Sequence, residues 1–278
     1  MFDKVAAVIV LYNPLPTVIY NIHSYIDMID CLYIIDNSTN RSDLISELYF
    51  KDTNIKVLHY GENIGIASAL NLALHEAKKD KYEWLFTFDQ DTYFYKDECR
   101  LFLARCKKLN LDKVVILSPL HNKKFITQKS KKVYEVDFVM TSANLLNIDI
   151  ALKIGGFNEK LFIDEVDHEF CLRLRKSNYR ILLDKTISVN HCLGISHSIF
   201  NTIKVYNQYR IYYMVRNYLY IRKQYIDFDK NFFNTRDLYI VKFLLKQIIF
   251  GKDRIKKIYY IFQGIIDYFN MRLGKLDI

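Results

Sequence analysis

Short apolar runs that stop abruptly at polar residues recur along the first half of the chain, and most are followed by a longer stretch with helical spacing. Residues 5–11 are rich in Val, Ile and Ala and end at Tyr12-Asn13-Pro14, where proline halts strand pairing and turns the chain. The pattern predicts a helix over 17–29, a strand over 32–35 that closes on Asp36-Asn37-Ser38, a helix over 42–50 and a strand over 55–59. Gly61-Glu62-Asn63-Ile64-Gly65 reads as a tight loop before a helix over 67–79. A fourth strand, 85–88, runs into Asp89-Gln90-Asp91, and a helix over 98–110 and a strand over 114–117 continue the alternation. Alternation without hairpin signals predicts an α/β fold with a mostly parallel, doubly wound sheet flanked by helices. Ligands of such sheets bind beyond the carboxyl ends of the strands. Tyr12, Asp36, Asn63 and Asp91 would then meet in one crevice.

The lysine-rich stretch 122–132 reads as an exposed loop or hairpin, and 136–140 as a strand running into Thr141-Ser142-Ala143-Asn144, with a short helix through Lys153. After Gly155-Gly156 comes a run dense in acids, FIDEVDHEFCLRLR, beginning at Phe162. On a helix, Asp164, Asp167 and His168 would share a face while Phe170 and Leu174 point to the core. Acids gathered in this way repel one another unless a ligand or cation stands near. Helices are then expected over 206–225, 236–250 and 254–273, with Lys and Arg set between the apolar positions.

Composition adds three points. An apolar fraction of 51% over 278 residues suffices for a large core. Five scattered cysteines with no CxxC pair suggest neither a disulfide framework nor a zinc site, and fit a reducing, cytoplasmic setting. The chain enters a strand-like run directly, so no secretion signal is expected, and no stretch reaches the ~18 uninterrupted apolar residues of a spanning helix. Charge changes the picture more. Residues 201–278 hold 15 Lys and Arg against 6 Asp and Glu, an excess equal to the whole net charge of +9. A neutral body thus carries a basic, aromatic-rich tail, which packs on the body or rests on an anionic membrane surface; no nucleic-acid motif accompanies it.

Two carboxylates at i and i+2 just past a strand end offer hard oxygens to a divalent cation, whose remaining ligands are commonly phosphate oxygens. Taken alone, Asp89 is as well explained by a helix cap and Asp91 by solvation. The ordered series VIVLYNP, IIDNS, GENIGIASALNLAL, FTFDQD, TSAN, GGFNEKLFIDEVDHEFCLRLR, NHCLG and RIYYMVRNYL is more specific. With it, the chain resembles the inverting family 2 glycosyltransferases of the GT-A fold, and within them the bacterial rhamnosyltransferase branch, over about residues 5–220.

The resemblance implies a catalytic domain over 1–205, with a nucleotide-sugar half to about residue 120 and an acceptor half beyond it, followed by the helical tail 206–278. Tyr12 and Asn13 would line the base pocket, Asp36 would hydrogen-bond the nucleotide, and Asn63 and Gly65 would close over it. Asp89 and Gln90 would contact the nucleotide sugar, and Asp91 and His191 would hold Mg²⁺ or Mn²⁺. Ser142, Arg210 and Arg216 would meet the acceptor or the diphosphate. Asp167 is the expected general base, with Asp164 and Glu169 as alternatives. The expected donor is a dTDP- or UDP-sugar, and the expected acceptor is a glycan or polyprenyl-linked glycan of a surface polysaccharide. A sugar nucleotidyltransferase would share the sheet but needs a glycine-rich phosphate loop, and no GxG occurs. A non-catalytic lipid-binding scaffold would account for the tail, but leaves the acids at strand ends unexplained.

Overall fold

The computed structural model describes residues 4–47, 54–121, 133–191 and 205–277. Strands β1 (Ala6–Leu11), β2 (Cys31–Asp36), β3 (Asn54–His59) and β4 (Trp84–Asp89) pair in parallel in the order β3-β2-β1-β4, as the apolar runs predict. Every residue of β1 and β2 is buried, the expected state of a central parallel strand covered on both faces. Helices α1 (Thr17–His23) and α2 (Ile66–Lys79) follow β1 and β3. α2 lays an alanine-rich face of Ala67, Ala69, Leu70, Ala73, Leu74 and Ala77 on one side of the sheet, where small residues allow close approach. The helix expected over 42–50 appears among the described residues only as a 3-10 turn at Asp43–Glu47.

Beyond β4 the sheet departs from the doubly wound parallel expectation. A two-residue strand β5 (Thr92–Tyr93), helix α3 (Lys96–Cys106) and strand β6 (Val114–His121) lead to β7 (Val133–Glu135) and β8 (Asn144–Asn147). β8 runs antiparallel to both β4 and β6 and joins the two halves of the sheet. The stretch 136–140, expected as a strand, is not one; pairing stops at Glu135, and Val136, Phe138 and Val139 pack on the core from irregular backbone. The loop expected over 122–132 lies outside the described residues. Helices α4 (Ile148–Lys153) and α5 (Val166–Lys176) precede a long strand β9 (Arg180–His191), which pairs with β6, β7 and β5. The periodicity of the sequence did not reveal β9.

The tail forms α6 (Gln208–Tyr225), α7 (Lys230–Phe250) and α8 (Arg254–Phe269). Tyr218, Tyr220, Ile221 and Tyr225 of α6, with Phe233 and Ile240 of α7, belong to the same core as α2 and α5, so packing is continuous across the division expected at 205. Gly264 lets α8 close on α6, since a Cβ there would stand 2.9 Å from the Tyr212 carbonyl oxygen. Cys31, Cys99, Cys106 and Cys171 are buried free thiols, and burial pushes Cys99 and Cys171 up to about 12. Burial outweighs every other influence on Cys99 and Cys171 and makes them unreactive core residues.

Candidate functional site

The carboxyl ends of β1, β2 and β4 lie side by side, and short polar bonds tie their outgoing loops together. The Gln90 side chain accepts from the Tyr12 amide at 2.9 Å and donates back to its carbonyl at 3.4 Å. Asn13, at φ 44°, donates its amide to Ser38 at 2.8 Å, and the Asn37 side chain donates to the Gly65 carbonyl at 3.2 Å. The Asn63 carboxamide accepts from the Gly65 amide at 2.9 Å, which forms the turn into α2. Tyr12, Asp36, Asn63 and the DQD segment therefore share one edge of the sheet, as expected. Tyr12 remains 51% exposed and available to a planar ligand, whereas Asp36 is buried and its oxygens accept the Ser38 and Ser42 amides at 3.0 and 2.9 Å. As placed, Asp36 and Gln90 shape the crevice wall.

Ser142 is fully buried, which corrects its expected place against the acceptor or diphosphate. Its hydroxyl accepts from the Asp89 amide at 2.9 Å and bonds the Thr92 hydroxyl at 2.6 Å, and its carbonyl meets His121 at 2.7 Å. It holds the turn that carries Asp89 and Asp91. Thr92 pairs in turn with His191 through the β5–β9 ladder; the backbone of His191 thus comes beside the DQD turn, while its side chain lies outside the described residues.

The acidic stretch is not the continuous helix the spacing suggested. α5 begins only at Val166, and before it Phe162, Asp164 and Glu165 take φ values of 64°, 61° and 61°, a left-handed region that costs side-chain-bearing residues of order 1–3 kcal/mol each. The turn is held from α6. The Asn217 carboxamide reaches the carbonyls of Leu161 at 2.8 Å, Ile163 at 2.7 Å and Asp164 at 3.0 Å. Arg216 donates to the carbonyls of Gly274, Leu161 and Lys160 at 2.8, 3.3 and 3.4 Å. At 1% exposure Arg216 is a packing strut, which corrects its expected contact with substrate. The turn also presses on the opposite loop: Phe162 accepts from the Ile66 amide at 2.8 Å, and a Cβ on Gly65 would stand 2.6 Å from the Phe162 ring.

Four acids in this stretch now differ sharply. Asp164 meets the Arg210 guanidinium at 3.1–3.3 Å; burial pushes its carboxyl up to about 6, with Arg210 opposing. Burial works against the Arg210 charge, and Asp164 outweighs it and raises the guanidinium, with a smaller contribution from the charge of Asp89. Glu165, which the sequence reading passed over, is buried. Burial works against its charge, but His168 at 3.1 Å and the Arg236 guanidinium prevail and hold it below the usual carboxylate range. Burial likewise opposes the charge of Asp167, and His168 at 3.3 Å again wins and lowers it. For His168 burial is outweighed by these two carboxylates, which raise the imidazole to about 10. Asp167 also lines a small cavity with Thr87, Asn144, Phe157 and Cys171. Glu169 is corrected as a base candidate: it is 2% exposed, with its oxygens bonded by Arg173 at 2.8 and 3.0 Å and Tyr225 at 2.7 Å.

A divalent metal would find at the DQD turn two hard carboxylates on backbone fixed by Ser142. Among the described residues no group of three or more His, Cys, Asp or Glu side chains could hold a metal by itself. That donor set suits Mg²⁺ or Mn²⁺, which take one or two carboxylates and complete their shells with water and substrate phosphate.

Comparison with known proteins agrees with this arrangement. The chain is 25% identical over 221 residues to the dTDP-rhamnosyl transferase RfbF of Shigella flexneri, covering 70% of this chain and 71% of that one. Among solved structures it superposes on GalNAc-T7 with UDP, GalNAc and Mn²⁺ at a TM-score of 0.63 and 14% identity, over 96% of this chain and 56% of that one. It superposes on S. aureus TarS at a TM-score of 0.59 and 17% identity, over 96% and 49%. A TarS fragment, 1–349, in complex with UDP-GlcNAc matches at a TM-score of 0.57 and 15% identity, over 95% and 80%. The chain thus spans about half the length of the GalNAc-T7 and full TarS structures, and shares with them the GT-A arrangement of sheet and helices. Residues 6–178, from the first strand through the acidic turn and α5, match the family described as Glycosyl transferase family 2, and the chain belongs to that family.

Proposed function

We propose that the protein transfers L-rhamnose from dTDP-rhamnose, with inversion, to a glycan or polyprenyl-linked glycan acceptor. The rhamnosyl choice rests on the likeness to RfbF, and the nucleotide sugar on the family and on the donor bound in the TarS complex. One observation carries the mechanism. Arg210 pairs with Asp164 at 3.1–3.3 Å, and desolvation nonetheless raises the proton affinity of the Asp164 carboxyl to about 6. An inverting transfer needs a base that takes the proton of the attacking hydroxyl on the side opposite the departing diphosphate, and a carboxyl near 6 is ionised at neutral pH yet basic enough to accept it. Asp164 therefore replaces Asp167 as the favoured base, because His168 keeps the Asp167 charge satisfied.

The nucleotide base would lie against Tyr12 and Asn13, with Asp36 and Gln90 setting the wall behind them. Asn63 and Gly65 would close over the donor. Arg210, 44% exposed at its side chain, would turn from Asp164 to the diphosphate as charge builds there. Asp91 and Asp89, with His191 as a further ligand, would hold a divalent metal that neutralises the leaving diphosphate as a Lewis acid. The experiment is a donor panel. Purified protein is offered dTDP-rhamnose, other dTDP-hexoses, UDP-glucose and UDP-GlcNAc with a lipid-linked glycan acceptor, and release of nucleoside diphosphate is measured. Turnover confined to a UDP-sugar would overturn the rhamnosyl reading and leave the transferase reading standing.

A further inference from the structure

α7 and α8 each bury one face and leave a second, strongly apolar face uncovered. On α7, Phe233, Ile240 and Gln247 recur every seven residues toward the body, while Leu238, Val241, Leu245 and Ile249 form an outward stripe. On α8, Lys257, Gly264 and Asp267 are buried, while Ile255, Tyr259, Phe262, Ile266 and Phe269 point outward at 50% to 84% exposure. A helix on a water-facing surface carries polar residues at such positions, and contiguous exposed apolar area marks a contact site. Charge identifies what is contacted. Lys242, Lys246, Lys252, Arg254 and Lys256 are exposed among the apolar stripes. Of the three acids in residues 230–269, Asp237 is engaged by Arg222 at 2.8 Å, Asp267 is buried, and only Asp253 stands exposed.

We infer that the outward faces of α7 and α8 seat on a bilayer surface containing anionic phospholipid. Apolar side chains enter the boundary between headgroups and acyl chains, and the lysines extend their stems along it to lipid phosphates. No helix among the described residues is long and apolar enough to cross the membrane, so both would lie along its surface. A second copy of this chain fits the face less well, because a two-fold contact would bring two patches of the same positive charge together. The same α7 carries Arg236 to the buried Glu165, so the acidic turn is tethered to the docked helix. The proposal is independent of the sugar-transfer reading.

The test sediments the full chain with vesicles of phosphatidylcholine alone or mixed with phosphatidylglycerol. Binding is expected only with phosphatidylglycerol present, and high salt should reverse it. The combined variant Lys242→Gln, Lys246→Gln, Lys256→Gln should lower partitioning on the order of 100-fold, given about one decade or slightly less per basic residue near an anionic surface. Ile255→Ser, Phe262→Ser, Phe269→Ser should abolish it while leaving the melting temperature and vesicle-free donor affinity unchanged, since all three side chains are exposed. Equal partitioning onto neutral vesicles, or wild-type binding by both variants, would refute the proposal. So would a lipid-indifferent dimer dissolved by the serine variant, which would assign the face to a second copy. If wild-type protein binds vesicles but no nucleotide sugar, the proposed function fails alone.

Discussion

Asp164 and Asp167 stand three residues apart on one turn and its helix, yet their neighbours give them different chemistry. Asp164 has one cationic partner, Arg210, and a desolvated carboxyl; Asp167 sits against a protonated His168. We expect Asp164→Asn to lower transfer by ~10²-fold or more with donor affinity kept, and Asp167→Asn to cost less, measured as single-turnover rate beside calorimetric donor binding. A base must be ionised to act, so wild-type kcat/KM should climb as pH rises through about 6 and level off above it. An acid limb near the ordinary carboxylate range would point to another base. Asn217 holds the turn that carries Asp164 through its backbone carbonyls. Asn217→Ala removes a donor from the carbonyls of Leu161, Ile163 and Asp164, of which Leu161 keeps Arg216 and the Ile163 amide, and should cost ~1–3 kcal/mol of stability. If Asn217 only stabilised the fold, the acid limb would stay in place. Loss of its hold on the turn should instead move the limb toward lower pH in the surviving folded protein.

At the scale of elements, α5 and α7 meet at the cluster of Glu165, Asp167, His168 and Arg236, beside the turn that α6 holds. The sign of the cluster's pH dependence follows from His168. Its proton affinity in the folded chain, about 10, lies above the ordinary 6.5, so its contribution to stability is fully present below 6.5 and is lost as pH rises through about 10. His168→Gln should therefore destabilise the protein on the order of 3 kcal/mol at neutral pH, the scale for breaking a buried ion pair. The gap to wild type should close as pH is raised through about 10. Denaturant melts at a series of pH values measure this directly, and a constant gap would mean that His168 contributes packing alone. Because Arg236 enters this cluster from α7, shortening the chain ahead of α7 should loosen the acidic turn as well as remove the tail.

For the whole molecule, the sheet presents the strand-end acids of the DQD turn, and the tail holds the acidic turn that leads into α5. Phe162 against Gly65 is the point where the two sides touch, with the Phe162 ring stacked on Tyr213 of α6 at 5.2 Å. The end of the chain returns to the same place: Gly274 donates to the Lys160 carbonyl at 2.7 Å, and Lys275 pairs with Glu62 at 2.8 Å. Metal removal tests the donor side of this assembly. Chelation with EDTA should abolish turnover, Mn²⁺ or Mg²⁺ should restore it, and Asp91→Ala should weaken donor binding in the presence of metal. Full activity in EDTA would remove the metal from the mechanism while leaving Asp164 as base.

Much of this arrangement is written locally. The runs at 5–11, 32–35 and 85–88 form strands because nearly continuous apolar residues suit a sheet covered on both faces, 55–59 forms its partly exposed edge strand, and the polar residues that end the runs fall at one edge because parallel strands share a direction. The position of DQD, the helical tail and its excess of positive charge follow from the sequence in the same way. Neighbouring residues could not determine the insertion of β8, whose four residues carry too short a pattern to show direction. They also could not separate the acids of FIDEVDHE, which look alike in sequence. Their proton affinities follow first from burial, which only packing decides, and then from partners such as His168 beside Glu165 and Asp167, Arg210, 46 residues from Asp164, and Arg236, 71 residues from Glu165. The family resemblance implied substrate contacts for Ser142 and Arg216, and only packing shows that their polar groups serve backbone groups inside the protein that would otherwise be buried without partners. Periodicity along a chain records which face of an element is apolar. Charge, desolvation and hydrogen-bond partners are properties of distant segments brought together, and they decided which of the legible acids can take a proton.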